Sequence, residues 1–334
     1  MLSKWFRYSV IFILLLVFLL HFLIVNPLYF WFKKSDLIID SKKENLIKHL
    51  TKLTKTQTER DYLNIDILNN TAEYIYDEFN LYWCNEVEYQ KFLIEEKEYK
   101  NVICRFLVEN TKTIVIWAHY DVDSNAHHND RVEWKIYQWA DDNASWVAWV
   151  LELARLVGDN KDGLKNTIEF VAYTLEEMPY FRSENMWSYV HAKSLVDNNI
   201  DVDYMISLEM IGFFSDEKIQ KYPIRFMSRI YPENANYIAI VWKIWDISLK
   251  NIKYDMLSNS NIDVWSINSP EFIPGITYSD HKNYWDFWIK AYMITDTSYL
   301  RNPHYHKITD TMDTLDFDKM NEVIKWIYWV IINK

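Results

Sequence analysis

The chain has 334 residues, with 47 acidic and 36 basic side chains and a formal net charge of −11. With a pI near 5.3 and no sustained basic stripe, it offers no surface for nucleic acid. Cys84 and Cys104 are too few for a disulfide framework, although they could pair in an oxidising compartment; no repeat or low-complexity tract is present.

The first predicted element is apolar. No charge lies between Tyr8 and Phe32, and Ser9 to Val25 is almost unbroken Ile, Leu, Val and Phe. About 20 apolar residues suffice to cross a bilayer, so a transmembrane helix is expected at about 9–30, inside an N-terminal membrane anchor of residues 1–34, with His21 a tolerated interior residue. Lys4 and Arg7 precede the run and Lys33 and Lys34 follow it, a weak orientation signal. No small-residue cleavage site follows, which favours an uncleaved, single-pass anchor. With its N-terminus inside, the main domain is extracytoplasmic.

Residues 35–98 read as a charged, helical lead-in, with Leu46, Leu50 and Leu53 on one spacing, packing over the domain that follows. Residues 99–334 read as that domain. Thr113–Trp117, Thr167–Tyr173, Tyr204–Leu208 and Ala291–Thr295 are short apolar or β-branched runs of the kind that form buried strands. Between them Val147, Val150, Leu151 and Ala154 repeat at helical spacing over 144–157, with Gly158 as the expected stop. The expected fold class is α/β, a mostly parallel central sheet flanked by helices, and such sheets place ligands at the carboxyl ends of their strands.

Five segments carry the chemistry: His119-Tyr-Asp121, Asp141-Asp142-Asn143-Ala-Ser145, Glu176-Glu177, Leu208-Glu209-Met210-Ile-Gly212 and His304-Tyr-His306. Imidazole and carboxylate are the ligands zinc takes, with a coordination position left for water at catalytic sites. Two such ions can share a carboxylate, activate water and polarise a carbonyl. A further carboxylate must then accept the proton, and the adjacent pair Glu176 and Glu177 suits a division between base and ligand. Asp121, two residues after His119, is placed to take the other ring N–H. His127-His128 read as a solvated loop and His191 as a surface or packing residue.

On these motifs the chain resembles the M28 family of zinc peptidases, from about Asn101 to the C-terminus. The resemblance implies a peptide-hydrolysing exopeptidase, most simply an aminopeptidase, with two zinc ions. It implies His119 and Glu209 on either side of the metal pair, Asp141 bridging, Glu177 and His306 completing the ligands, and Glu176 as base. Tyr305-His306 reproduces the family's late YH, which leaves His304 as a flanking residue. Ser279-Asp280-His281 matches a block beside the substrate pocket, so Asp280 and His281 are candidates either for the pocket itself or for supporting the residues that line it. A glutaminyl-cyclase-like acyltransferase of the same fold is the alternative, and an inactive receptor-like ectodomain a third. Oligomeric state is left open.

One departure from the family concerns glycine. Trp117, Trp139, Trp146, Trp149, Trp187 and Trp288 occupy positions where the family motifs carry Gly or another small residue. The chain holds 4 Gly and 16 Trp, and only their sum approaches the ordinary glycine share of about 7%. UGA read as glycine by the source, but translated as tryptophan, accounts for both facts; Trp285 is expected to be a true tryptophan.

Overall fold

The computed structural model describes the chain except for residues 1–3, 22–24, 28, 30–33, 35–38, 124–134, 245–249 and 334. His127 and His128 lie outside the described residues.

Helix α1 (Lys4–Leu20) runs for 17 residues and buries none of them. At 1.5 Å per residue it is about 26 Å long, and among the described residues no helix is long and apolar enough to cross a membrane. The expected span of about 9–30 runs past this helix into residues 22–24, 28 and 30, which lie outside the described residues. At Asn26-Pro27 helical geometry is disfavoured, because proline and the residue before it resist helical continuation. Asn26 is instead buried against the main domain, where its side-chain oxygen accepts from Lys253 Nζ and from Ser266 Oγ.

The lead-in folds as α2 (Lys43–Thr54) and α3 (Ile65–Leu81), whose buried faces include Leu46, Leu50 and Leu53 of α2. It is not wholly helical. The charged stretch after α3 forms a hairpin of β1 (Glu86–Ile94) and β2 (Lys97–Phe106). Glu95 and Glu96, both at positive φ (49° and 65°), make the two-residue turn that matches the twist of such a hairpin. A disulfide between Cys84 and Cys104 ties the end of α3 to β2.

Eight strands form one sheet in the order β1-β2-β4-β3-β5-β8-β6-β7, where β3 is Thr113–His119, β4 Thr167–Tyr173, β5 Val202–Glu209, β6 Tyr237–Lys243, β7 Asp263–Ser269 and β8 Ala291–Thr295. Strands β4, β3, β5 and β8 are parallel neighbours. The β1–β2, β2–β4 and β6–β8 pairings are antiparallel. With β6–β7 also parallel, four of the seven pairings are parallel, so the sheet is mixed, with the parallel pairings in the majority that was expected. The four anticipated runs do supply its centre, and every residue of β3 and β4 is buried, as strands covered on both faces must be.

Helix α4 (Ser145–Asp159) packs against β3 and β4, with α2, α3 and α8 (Phe317–Asn333) beside it. Gly158 lies inside its last turn instead of beyond it. A Cβ there would stand 1.9 Å from the Tyr82 carbonyl oxygen, so glycine serves the close crossing of α3 on α4 and not the helix stop. Helices α5 (Trp187–Asp197) and α7 (His281–Asp286) pack together, α7 against β5 and β8, while α6 (Lys250–Asn259) lies on β7 and α8. His191 on α5 is buried, its Nδ1 2.7 Å from the hydroxyls of Tyr173 and Tyr284 and its Nε2 3.2 Å from Glu169, a packing role.

Candidate active site

The carboxyl ends of β3, β4 and β5 converge on one cleft. His119 closes β3, Glu176 and Glu177 follow β4, and Glu209 closes β5. The last two motifs arrive from loops, Ala140–Ala144 as a single wide turn before α4 and His306 after β8.

The imidazole of His119 is aimed by its surroundings. Its Nδ1–H donates to the Asp121 backbone carbonyl at 3.2 Å, with Asp121 Oδ1 at 3.6 Å, so Nε2 faces the cleft. The Asp121 carboxylate also acts on the next strand end. Its two oxygens accept the backbone N–H groups of Glu176 (3.2 Å) and Glu177 (3.1 Å), fixing the pair relative to His119.

Asp142, and not Asp141, stands between the two imidazoles. Its Oδ1 is 3.6 Å from His119 Nε2 and its Oδ2 is 3.0 Å from His306 Nε2. Asp141 points away. Its oxygens accept from the Gly212 N–H at 2.8 Å and from Asn302 Nδ2 at 2.7 Å, and a Cβ at position 212 would crowd it at 2.8 Å. The expected bridging position is corrected accordingly: neighbouring side chains in this turn diverge, and the inner one is spent on structure. Asp310 holds the turn from below, one oxygen accepting the N–H of Asp141 (2.9 Å) and the other that of Asp142 (3.1 Å).

Glu177 Oε1 lies 3.8 Å from His306 Nε2, and Glu176 Oε2 lies 4.0 Å from His119 Nε2. Glu209 accepts from Ser279 Oγ at 2.8 Å. Asp280 and His281, expected in the substrate pocket or supporting it, are buried supports and not pocket lining. Asp280 is bonded by Ser188, and His281 Nε2 donates to the Ile276 carbonyl at 2.7 Å; neither lines the cleft. His304 turns to Thr309, as a flanking residue should.

Electrostatics bind these groups into one unit. Burial opposes ionisation of Asp142, but the hydrogen bond and charge of His306, with His119 beside it, hold its carboxyl below the usual range. Burial, and then repulsion from Glu177, Asp280 and Glu209 against the pull of His119, pushes Glu176 well up. Burial and Asp142 do the same to Glu177, and burial raises Glu209 to about 7. So many carboxylates sharing a low-dielectric cleft favour a cation among them.

The donor set fits a divalent metal. One ligand atom from each of His119, Asp142 and Glu177 lies within 4.8 Å of the others, and so do those from Asp123, Glu177 and His306. The cleft also admits Tyr305, whose ring stacks on His306 at 3.8 Å. Burial and the facing charges of Asp142 and Glu177 push its phenol up, so it stays protonated and available as a donor. Asp123, Ser279, Asn302, Tyr305 and Asp310 were not singled out from sequence for these positions. Tyr305 sat within a quoted motif, whereas Asp310 carries no local signal.

An α/β sheet with imidazoles and carboxylates gathered at its strand ends is the arrangement expected of a metal-assisted hydrolase. Comparison with known proteins agrees: the chain belongs to Peptidase family M28, whose pattern matches residues 101–330. It is 41% identical over 292 residues to Uncharacterized protein YfbL of Escherichia coli (strain K12), covering 87% of this chain and 88% of that protein. Among solved structures, the LapA aminopeptidase of Legionella pneumophila superposes with a TM-score of 0.66 at 18% identity, covering 90% of this chain and 77% of that one. A glutaminyl cyclase of Tannerella forsythia gives 0.64 at 18% identity, covering 88% and 99%. At these identities the structures establish the shared fold alone.

Proposed function

We propose that the chain is a two-zinc aminopeptidase. The observation that carries this reading is the sign of the cleft: Asp123, Asp142, Glu176, Glu177 and Glu209 line it, and no Lys or Arg does so among the described residues. A free amino terminus, a cation, suits such a wall, whereas a carboxypeptidase must hold an anionic terminus. His119, Asp142 and Glu209 would hold one ion, and Asp142, Glu177 and His306 the other. When bound, two zinc ions supply water acidity and carbonyl polarisation. Glu176, with its raised pKa, takes the proton from the attacking water and returns it to the leaving amine. Tyr305 donates its hydroxyl hydrogen to the oxygen that gains charge.

An apolar pocket of ≈ 90 Å³ shares Glu209, Tyr278, Ser298 and Tyr299 with the cleft and continues to Met227, Tyr231, Ile276 and Met293. Glu209 is its one charged lining residue among the described residues, so the favoured N-terminal side chain is apolar. Helix α1 exposes Trp5, Phe12 and Leu14, an apolar surface suited to a bilayer and not to water. We place α1 in a membrane and the disulfide-bearing domain outside the cytoplasm, where a Cys84–Cys104 bond persists.

The test is metal content by elemental analysis of the full chain in detergent, with hydrolysis of aminoacyl chromogenic substrates before and after chelation. Two zinc ions per chain, chelator-sensitive release and its loss in Glu176→Gln are expected. Cyclisation of N-terminal glutamine without hydrolysis would replace this reading with the cyclase one, and a chain that binds no metal would end both.

A further inference from the structure

We propose that positions 83, 139, 187 and 288 are glycine in the working protein, their codon being one that the source reads as glycine. The composition raises the question, and the backbone at these positions answers it for particular residues.

Trp83, Trp139 and Trp288 all sit in the left-handed region, at φ 64°, 51° and 63°. For a bulky L-residue this conformation is a true outlier, and glycine is the residue that takes it without a steric penalty. Two of the three sites are helix ends of a recognisable kind. Position 288 follows α7 and its cap Phe287. There the Trp288 N–H donates to Trp285 O at 3.1 Å and the Ile289 N–H to Tyr284 O at 3.0 Å. That pair of bonds is a Schellman motif with position 288 at its left-handed residue, the place where glycine dominates. Position 83 directly follows α3 and its cap Tyr82. Neither indole gains from packing: Trp288 is 94% exposed and Trp83 70%.

Position 139 opens the turn that carries Asp141 and Asp142, at φ 51° and ψ 54°. Its indole is buried, its N–H has no acceptor among the described residues, and its ring lies 5.6 Å from that of the ligand candidate His306. Buried indole N–H groups ordinarily find a partner. The indole N–H of Trp187 is likewise buried without one among the described residues, as are those of Trp146, Trp242 and Trp326; what sets Trp187 apart is its ring centroid, 3.3 Å from that of Phe92, closer than the usual separation of paired rings, about 4.5–7 Å. Trp285 differs from both: its N–H donates to Ala291 O at 2.9 Å, as does that of Trp149 to Met320 O at 3.2 Å.

Glycine at 139 has a functional consequence, since it removes a bulky ring from beside His306 and frees the turn to present Asp142.

Two measurements decide the matter. The gene is read at these positions and the peptides spanning them are weighed in protein purified from its own source. One shared UGA codon at 83, 139, 187 and 288, UGG at 285 and glycine masses at the four sites are expected. UGG at 83, 139 and 288, or indole masses there, overturns the proposal. Independently, full-length chains with tryptophan or glycine at the four positions are compared by thermal unfolding. A higher midpoint for the glycine chain is expected, and an equal or lower one counts against the assignment.

Discussion

Asp310 offers the sharpest test of how the site is built, because its two oxygens each accept one backbone N–H, from Asp141 at 2.9 Å and from Asp142 at 3.1 Å. All three residues are buried. Asp310→Asn leaves one acceptor oxygen and turns an amide NH₂ toward the other N–H. A buried donor left unpaired costs about 1–3 kcal/mol, and the surviving bond loses its charge assistance, worth roughly 1 kcal/mol. The expected loss is about 2–4 kcal/mol in urea unfolding at pH 8. Asp310→Ala removes both acceptors and should cost more. Because the same N–H groups position Asp142, metal affinity should fall roughly 10- to 100-fold in the Asn variant, the effect typical of partners that orient ligands. Unfolding within about 0.5 kcal/mol of the parent, or an Ala variant no worse than Asn, would refute the reasoning.

Three further outcomes follow from the same geometry. Asp142→Asn should remove metal from both positions and abolish hydrolysis, whereas Asp141→Asn should chiefly lower the unfolding midpoint; elemental analysis and calorimetry on the two variants separate these effects. Tyr305→Phe should lower kcat roughly 10- to 100-fold with KM little changed, as loss of an oxyanion donor does, and steady-state kinetics on one aminoacyl substrate checks the split. His49, between the hydroxyls of Tyr74 at 2.7 Å and Tyr82 at 3.1 Å, is held neutral by burial, against the pull of Glu78, so that its pKa falls from 6.5 to about 4. The unfolded chain therefore takes the proton first: this contribution is whole above pH 6.5 and is lost as the pH falls toward 4, by up to about 3 kcal/mol. Urea titrations across that window should show the slope, and His49→Gln should flatten it.

Legibility in the sequence tracked how local the physical cause was. The centre of the sheet was readable because a strand buried on both faces must be mostly apolar, as Thr113–Trp117 is and as Thr167–Tyr173 is apart from Glu169, which pairs with Arg105 and His191. The β1–β2 hairpin was not, because Glu95-Glu96 adopts positive φ without the Asn-Gly or Asp-Gly that announces such a turn. The family pattern held over 101–330, and the motifs named His119, Glu176, Glu177, Glu209 and His306, which the fold brings together. Asp280 and His281 matched a family block, yet they face the interior.

The distinction between Asp141 and Asp142 marks the boundary. Sequence determined that an acidic pair would stand at the head of α4, because the ligand chemistry requires carboxylate there and the helical repeat begins just beyond it. Tertiary structure alone decided which of the two faces the imidazoles. That choice rests on the Gly212 N–H and the Asn302 amide capturing Asp141, and on Asp310 gripping both backbone N–H groups. These partners lie 71, 161 and up to 169 residues away along the chain, and only the packed sheet brings them within hydrogen-bonding reach.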